Sequence, residues 1–179
     1  ELLQIDLCGP STVASLHHKK YILVIVDDFT RFTLVFFLRL KSETPQILIN
    51  FIKEIEIQIK LPVRRIRNDN GTEFTNHPLN NFLVSKGISH NFSAPYTPQQ
   101  NGAVERRNRT LVEAARSMLN VAHLPLYFWA EAVATACFVQ NRSIVCKCLN
   151  KTPYEGLNNQ KPNVHFFHIF GCRCFMINN

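Results

Sequence analysis

The sequence predicts an α/β fold on a mixed five-stranded sheet, three antiparallel strands followed by alternating helix and strand, with helices on both faces. Three observations carry this. The first forty residues hold three apolar runs separated by turn residues and lack a helical period, which is the pattern of strands. The second of these runs, Tyr21-Ile22-Leu23-Val24-Ile25-Val26, is unbroken, as expected of a strand covered on both faces. After the third, apolar residues recurring at three and four alternate with short strand-like segments, which requires helical crossovers and a partly parallel sheet.

In chain order, residues 2–7 form a first strand, stopped by the breaker pair Gly9-Pro10. Residues 21–26 form the second, and Asp27-Asp28-Phe29-Thr30-Arg31 turns the chain into an antiparallel third at 32–40, with Asp28 read as the turn's capping residue. Ser42 is placed to cap a helix whose first turn tolerates Pro45. The spacing of Ile47, Leu48, Phe51, Ile52, Ile55 and Ile59 carries that helix to about residue 60 with one face inward. A fourth strand at 63–67, a short helix at 78–86 and a fifth strand at 88–92 follow. Residues 93–101, with Pro95 and Pro98, read as a mobile polar loop that serves substrate entry. A helix at 102–121 puts Glu105, Arg109, Val112 and Arg116 on one side and Leu111, Ala115, Met118 and Leu119 on its apolar side. Pro125 opens an Ala-rich helix to about residue 141, whose Tyr127, Phe128 and Trp129 read as an apolar face packed on the sheet. A helical turn at 152–156 and a strand at 172–177 end the chain. The expected division is a core at 1–121 and a helical extension at 122–179 packed on it.

The composition is that of a globular protein, 46% hydrophobic and 18% charged over 179 residues. Twenty Lys and Arg against 13 Asp and Glu give a net charge of +7, which points to a polyanionic partner. The six cysteines contain no C-x-x-C pair and read as reduced thiols of an intracellular protein. No apolar run approaches the roughly 20 residues that span a bilayer, so no membrane partner is expected. The chain begins inside a strand pattern and reads as a fragment of something longer.

Three carboxylates stand at element ends. Asp6 ends the first strand, Asp69 leaves the fourth at Asn68-Asp69-Asn70-Gly71, and Glu105 lies in the first turn of a helix, where the macrodipole favours an ionised acid. Such a set can converge on one divalent ion or on two. Mg²⁺ takes hard oxygen ligands and keeps several waters, so a few carboxylates at a sheet rim suffice. Two such ions can clamp a phosphodiester, one activating the attacking oxygen and one stabilising the leaving oxygen. Glu73 reads equally as an assistant near the site or as a surface residue. Arg106, Arg107 and Arg109 are candidates to track the phosphates of a polyanionic partner or else form a solvated helix face on which Arg109 pairs with Glu105, and Gln99, Gln100 and Asn101 read equally as contacts to that partner from the loop or as turn and capping residues. The His165-x-x-His168-x-x-x-Cys172-x-Cys174 run has the residue types for zinc but not a zinc spacing, and its interleaved Phe166, Phe167, Ile169 and Phe170 read as core.

Several phrases together carry a resemblance: Asp6-Leu7-Cys8-Gly9-Pro10, Val26-Asp27-Asp28-Phe29-Thr30-Arg31, Arg67-Asn68-Asp69-Asn70-Gly71-Thr72-Glu73-Phe74, Ala94-Pro95-Tyr96-Thr97-Pro98-Gln99-Gln100-Asn101-Gly102, Glu105-Arg106-Arg107-Asn108-Arg109-Thr110, Phe128-Trp129-Ala130-Glu131-Ala132, Lys151-Thr152-Pro153-Tyr154-Glu155 and Phe170-Gly171-Cys172. Over almost its whole length the chain resembles the integrase of Ty1/copia-type retrotransposons. The resemblance implies a ribonuclease H-like fold and the retroviral integrase superfamily. It implies that Asp6, Asp69 and Glu105 are the catalytic, metal-binding residues, with thirty-five residues between the last two. It also implies two Mg²⁺ ions, replaceable by Mn²⁺, with element ends and target DNA as partners. The implied reactions are hydrolytic trimming of a DNA 3′ end and attack of that 3′-OH on target DNA, by a homo-multimer acting in the nucleus. Ile5 and Thr72 stand where the family commonly has a small hydroxyl residue and a second glycine; neither change removes a ligand. The rival readings are a nuclease of the same fold that cleaves RNA in a hybrid, and a domesticated module that binds nucleic acid or protein without turnover.

Overall fold

The structure, a computed structural model, describes residues 2–92 and 98–175, with the backbone alone at 98–101. Its sheet contains β1 (Leu2–Cys8), β2 (Tyr21–Asp27), β3 (Thr33–Leu38), β4 (Arg65–Asn68) and β5 (Ser89–Phe92) in the order β3-β2-β1-β4-β5. β1 pairs antiparallel with β2 and parallel with β4; β2 and β3 form the antiparallel hairpin, and β4 and β5 are parallel. The helices are α1 (Thr44–Ile59), α2 (His77–Lys86), α3 (Pro98–Val121), α4 (Trp129–Ser143) and α5 (Pro153–Asn158). The mixed five-stranded sheet is therefore the one the patterning predicts.

Two apolar cores lie on opposite faces, because successive strand residues point to opposite sides. On one face Leu3, Ile5, Leu23, Ile25 and Ile66 pack against Leu48, Phe51 and Ile52 of α1 and Leu79 and Leu83 of α2. On the other, Ile22, Val24 and Val26 pack against Val104, Leu111, Ala115 and Leu119 of α3 and Trp129, Val133 and Ala136 of α4. This double cover explains the unbroken apolar run of β2. Trp129 is buried in the second core, meets Phe37 edge to face and donates its indole N–H to the Val13 carbonyl at 2.9 Å.

At the start of β3 a side chain covers the sheet edge. Asn141 of α4 accepts from the Thr33 N–H at 3.0 Å and donates to the Thr33 carbonyl at 2.7 Å, all buried. One amide thus reproduces the hydrogen-bond pair a further strand would make, leaving neither backbone group unpaired.

Local expectations differ in several places. Ser42 lies in a 3-10 turn (Lys41–Glu43), and the carboxylate of Glu43 accepts from the Arg39 and Leu40 N–H groups, so Ser42 does not cap α1. In the hairpin turn Asp27, not Asp28, is the cap: its Oδ2 accepts from the Thr30 N–H at 2.8 Å and the Thr30 hydroxyl at 2.6 Å. Asp28 instead accepts from Gln4 and from Arg31. α3 begins four residues before the expected start, since Pro98 suits a first helical turn; residues 93–97 of the expected loop lie outside the described residues. No strand forms at 172–175, and residues 176 and 177 lie outside the described residues. Phe166 and Ile169 are exposed, not core; Phe166 and Phe167 cluster with Phe138 instead.

α2 is held by its cap. Asn76 Oδ1 accepts from the Leu79 N–H at 3.0 Å, and Gly87 closes the other end in the left-handed region at φ +67°. Asn76→Ala is expected to cost about 1 kcal/mol, seen as a lower urea midpoint with an unchanged slope.

Candidate functional site

The parallel pairing of β1 and β4 builds the site. Leu2, Leu3 and Gln4 stand opposite Arg65, Ile66 and Arg67, so Asp69, the residue after the end of β4, emerges beside the second half of β1, where the charge of Asp6 reaches it. Both strands run the same way, so both carboxylates arrive at one edge of the sheet. Alternation decides the face of the first carboxylate: Leu3 and Ile5 point into the α1–α2 core, so Asp6 points to the side covered by α3. Burial first, and then the charges of Glu105 and Glu73, raise the Asp6 carboxyl, against the Asn108 hydrogen bond that lowers it. Asp69 is raised by burial and then by Asp6, with Lys41 opposing.

α3 contributes the third side. Asn108, 7% exposed, donates from Nδ2 to Asp6 Oδ2 at 2.9 Å and so locks the helix onto the end of β1. Glu105 is one turn earlier, exposed, and near enough for its charge to act on Asp6. The structure thus brings the charges of Asp6 and Asp69 within reach of each other and Glu105 within reach of Asp6 from the helix. Among the described residues no three His, Cys, Asp or Glu side chains close into a ligand cage.

Two residues that sequence reasoning weighed weakly or missed belong here. Glu73, with its side chain 8% exposed, pairs with Lys41 at 3.8 Å and acts on both aspartates. Its carboxylate folds back over Gly71, where an added Cβ would lie 2.9 Å from it. Asn108 was legible only as the residue one turn beyond Glu105 on the same helix.

The basic residues divide. Arg106 and Arg109 are exposed on α3. Arg107 is half-buried, donating to Gln140 Oε1 and to the Arg31 carbonyl, both at 3.1 Å. It braces α3 against α4 and the hairpin turn, which gives it a part in the fold beside the expected phosphate contact. The side chains of Gln99, Gln100 and Asn101 lie outside the described residues.

Residues 1–98 match the integrase core domain. The chain belongs to the integrase core domain family. It is 38% identical over 175 residues, 98% of its length, to the retrovirus-related Pol polyprotein from transposon TNT 1-94 of Nicotiana tabacum. It is 33% identical over 165 residues to the polyprotein from transposon RE2 of Arabidopsis thaliana, 92% of the chain. It spans 13% and 11% of those polyproteins. Among solved structures it is similar to the HTLV-2 integrase catalytic core domain in complex with magnesium, with a TM-score of 0.64, 22% identity, and 88% of this chain and 95% of that one covered. It is also similar to a chain of the simian T-cell lymphotropic virus intasome, with a TM-score of 0.68, 20% identity, and 99% and 60% covered. These likenesses bear out the ribonuclease H-like fold.

The integrase core family is metal-dependent, and the donor set here suits a hard cation. Asp6 and Asp69 are carboxylates held in mutual repulsion, and the neighbouring Asn108 Oδ1 is buried without a hydrogen-bond partner among the described residues. A divalent ion held by the two carboxylates would offset their repulsion.

Proposed function

We propose that this chain is the catalytic core of a retrotransposon integrase that trims the 3′ end of the element's DNA and joins it to target DNA. The observation that carries the reading is the meeting of Asp6 and Asp69 at one sheet edge under the α3 turn that bears Glu105 and Asn108. In this reading Asp6, Asp69 and Glu105 hold two Mg²⁺ ions, with Mn²⁺ able to replace them. Bound there, the ions supply Lewis-acid activation of the attacking and leaving oxygens. The protein's own part is placement. Asn108 fixes the rotamer of Asp6, the parallel register fixes its spacing from Asp69, and Lys41 offsets the charge of Glu73. Homo-multimer formation and action in the nucleus accompany this proposal.

DNA lies along the exposed side of α3, where Arg106 and Arg109 face outward. Arg109→Gln is expected to weaken binding evenly across sequences and to lower the slope of log affinity against log salt by about 1, measured by fluorescence anisotropy over a salt series.

The deciding experiment is strand transfer with a labelled oligonucleotide end and plasmid target in Mg²⁺ or Mn²⁺, run beside Asp69→Asn. Product from the wild type alone supports the proposal. DNA binding with equal or no product from both favours a module without turnover.

A further inference from the structure

The Cys146-Lys147-Cys148 turn follows α4 and holds none of the site carboxylates. α4 ends at Ser143, and a tight reversal follows in which the Cys146 N–H donates to the Lys151 carbonyl at 2.8 Å and the Leu149 N–H to the Cys146 carbonyl at 3.2 Å. This reversal turns the two side chains toward each other, with Cys146 Sγ and Cys148 Sγ 3.3 Å apart. Cys146 is half-buried and Cys148 exposed.

We propose that Cys146 and Cys148 are a peroxide-reactive dithiol that closes to an intramolecular disulfide. Cys146 is the attacking sulfur. Partial burial pushes its thiol up, but the Cys148 thiol, backbone hydrogen bonds from Cys148 and Leu149, and the Arg31 charge together bring it below the ordinary cysteine range. Its thiolate attacks one oxygen of hydrogen peroxide and the O–O bond breaks, leaving a sulfenic acid and, after protonation, water. The Cys148 sulfur then attacks Cys146 Sγ and the S–O bond breaks, releasing a second water as both thiol protons are lost. Two thiols are oxidised and one peroxide is reduced to two waters.

The geometry favours this over a metal. A structural zinc ion needs four ligands, and among the described residues no group of three His, Cys, Asp or Glu could hold one. Cys8 has no second sulfur near it in the sequence, and the other three thiols differ from the pair in their surroundings. Cys172 and Cys174 share the same spacing and are both exposed, yet Cys174 turns to the Cys172 carbonyl at 3.7 Å instead of to its sulfur. Cys137 is buried, donates to the Thr33 carbonyl at 3.2 Å, and burial pushes its thiol up to about 11, which leaves it inert.

The test treats the full chain with limiting hydrogen peroxide, quenches in acid, alkylates and maps the peptides by mass. The peptide holding Cys146 and Cys148 is expected to become two hydrogens lighter and unalkylated, at least about tenfold faster than the peptide holding Cys172 and Cys174, and to be restored by dithiothreitol. In Cys148→Ser a sulfenic acid is expected to accumulate on Cys146 and be trapped by dimedone. Equal oxidation of the two C-x-C pairs, or bridges between chains in place of the internal one, would overturn the proposal. The wild-type comparison stands whatever the variant does, and neither readout depends on DNA processing.

Discussion

Asp69→Asn is expected to reduce strand transfer at least about a thousandfold, since a bound metal ion contributes several kcal/mol to such a transition state and each 1.4 kcal/mol or so is tenfold in rate. The substitution keeps the shape of the side chain and removes its charge, so binding through Arg106 and Arg109 should persist while turnover disappears. Stability provides a second readout. Burial, and then the charge of Asp6, raise the Asp69 carboxyl in the folded chain. A carboxyl raised on folding contributes stability that is complete below its unfolded value of about 4 and is lost as pH rises through the folded value. Without metal, the wild type should therefore melt at progressively lower temperature as pH rises across that window. Mg²⁺ should raise the melting temperature most at the upper end. The asparagine variant lacks its own share of this slope and gains little from Mg²⁺. Thermal melts over a pH series with and without Mg²⁺ measure both, and a variant that responds to Mg²⁺ as fully as the wild type would remove Asp69 from the metal site.

Asn108→Ala is expected to cost about 2 kcal/mol in stability, the scale of a hydrogen bond to a charged group, because it removes the donor to Asp6 at 2.9 Å and leaves a half-buried carboxylate short of a partner. It should also slow strand transfer about tenfold to a hundredfold, through loss of the fixed Asp6 rotamer. A diagnostic separates this from simple destabilisation. The Asn108 contact lowers Asp6, so its removal raises the carboxyl further, and the acid limb of the rate profile should move to higher pH. A profile that keeps its limb while only the melting temperature falls would make Asn108 a packing residue alone.

Much of the architecture was legible because it follows from local periodicity. The unbroken β2 run can be satisfied only by cover on both faces, and the three-and-four spacing of Leu48, Phe51 and Ile52 buries one side of α1. Errors arose where competing local partners decide the outcome. Asp27 and Asp28 are adjacent and chemically identical, and only the three-dimensional path of the turn selects Asp27 for Thr30 while Gln4 and Arg31 take Asp28. Phe166 and Ile169 read as core by residue type alone, but the chain beyond α5 makes no strand at 172–175 to bury them.

For the site, the sequence alone identified Asp6, Asp69 and Glu105 as acids at element ends and, through its motifs, the family to which the chain belongs. It could not show that β1 and β4 pair in parallel so that Asp69 emerges within reach of the charge of Asp6, that Asn108 ties α3 to Asp6, or that Arg107 bonds to Gln140 and Arg31 while Arg106 and Arg109 stay exposed. Pattern along a chain records which residues prefer water and which do not. Which acids meet, and which arginine is committed to the interior, depends on strand pairing and helix packing between residues far apart in sequence, and only the tertiary structure sets those.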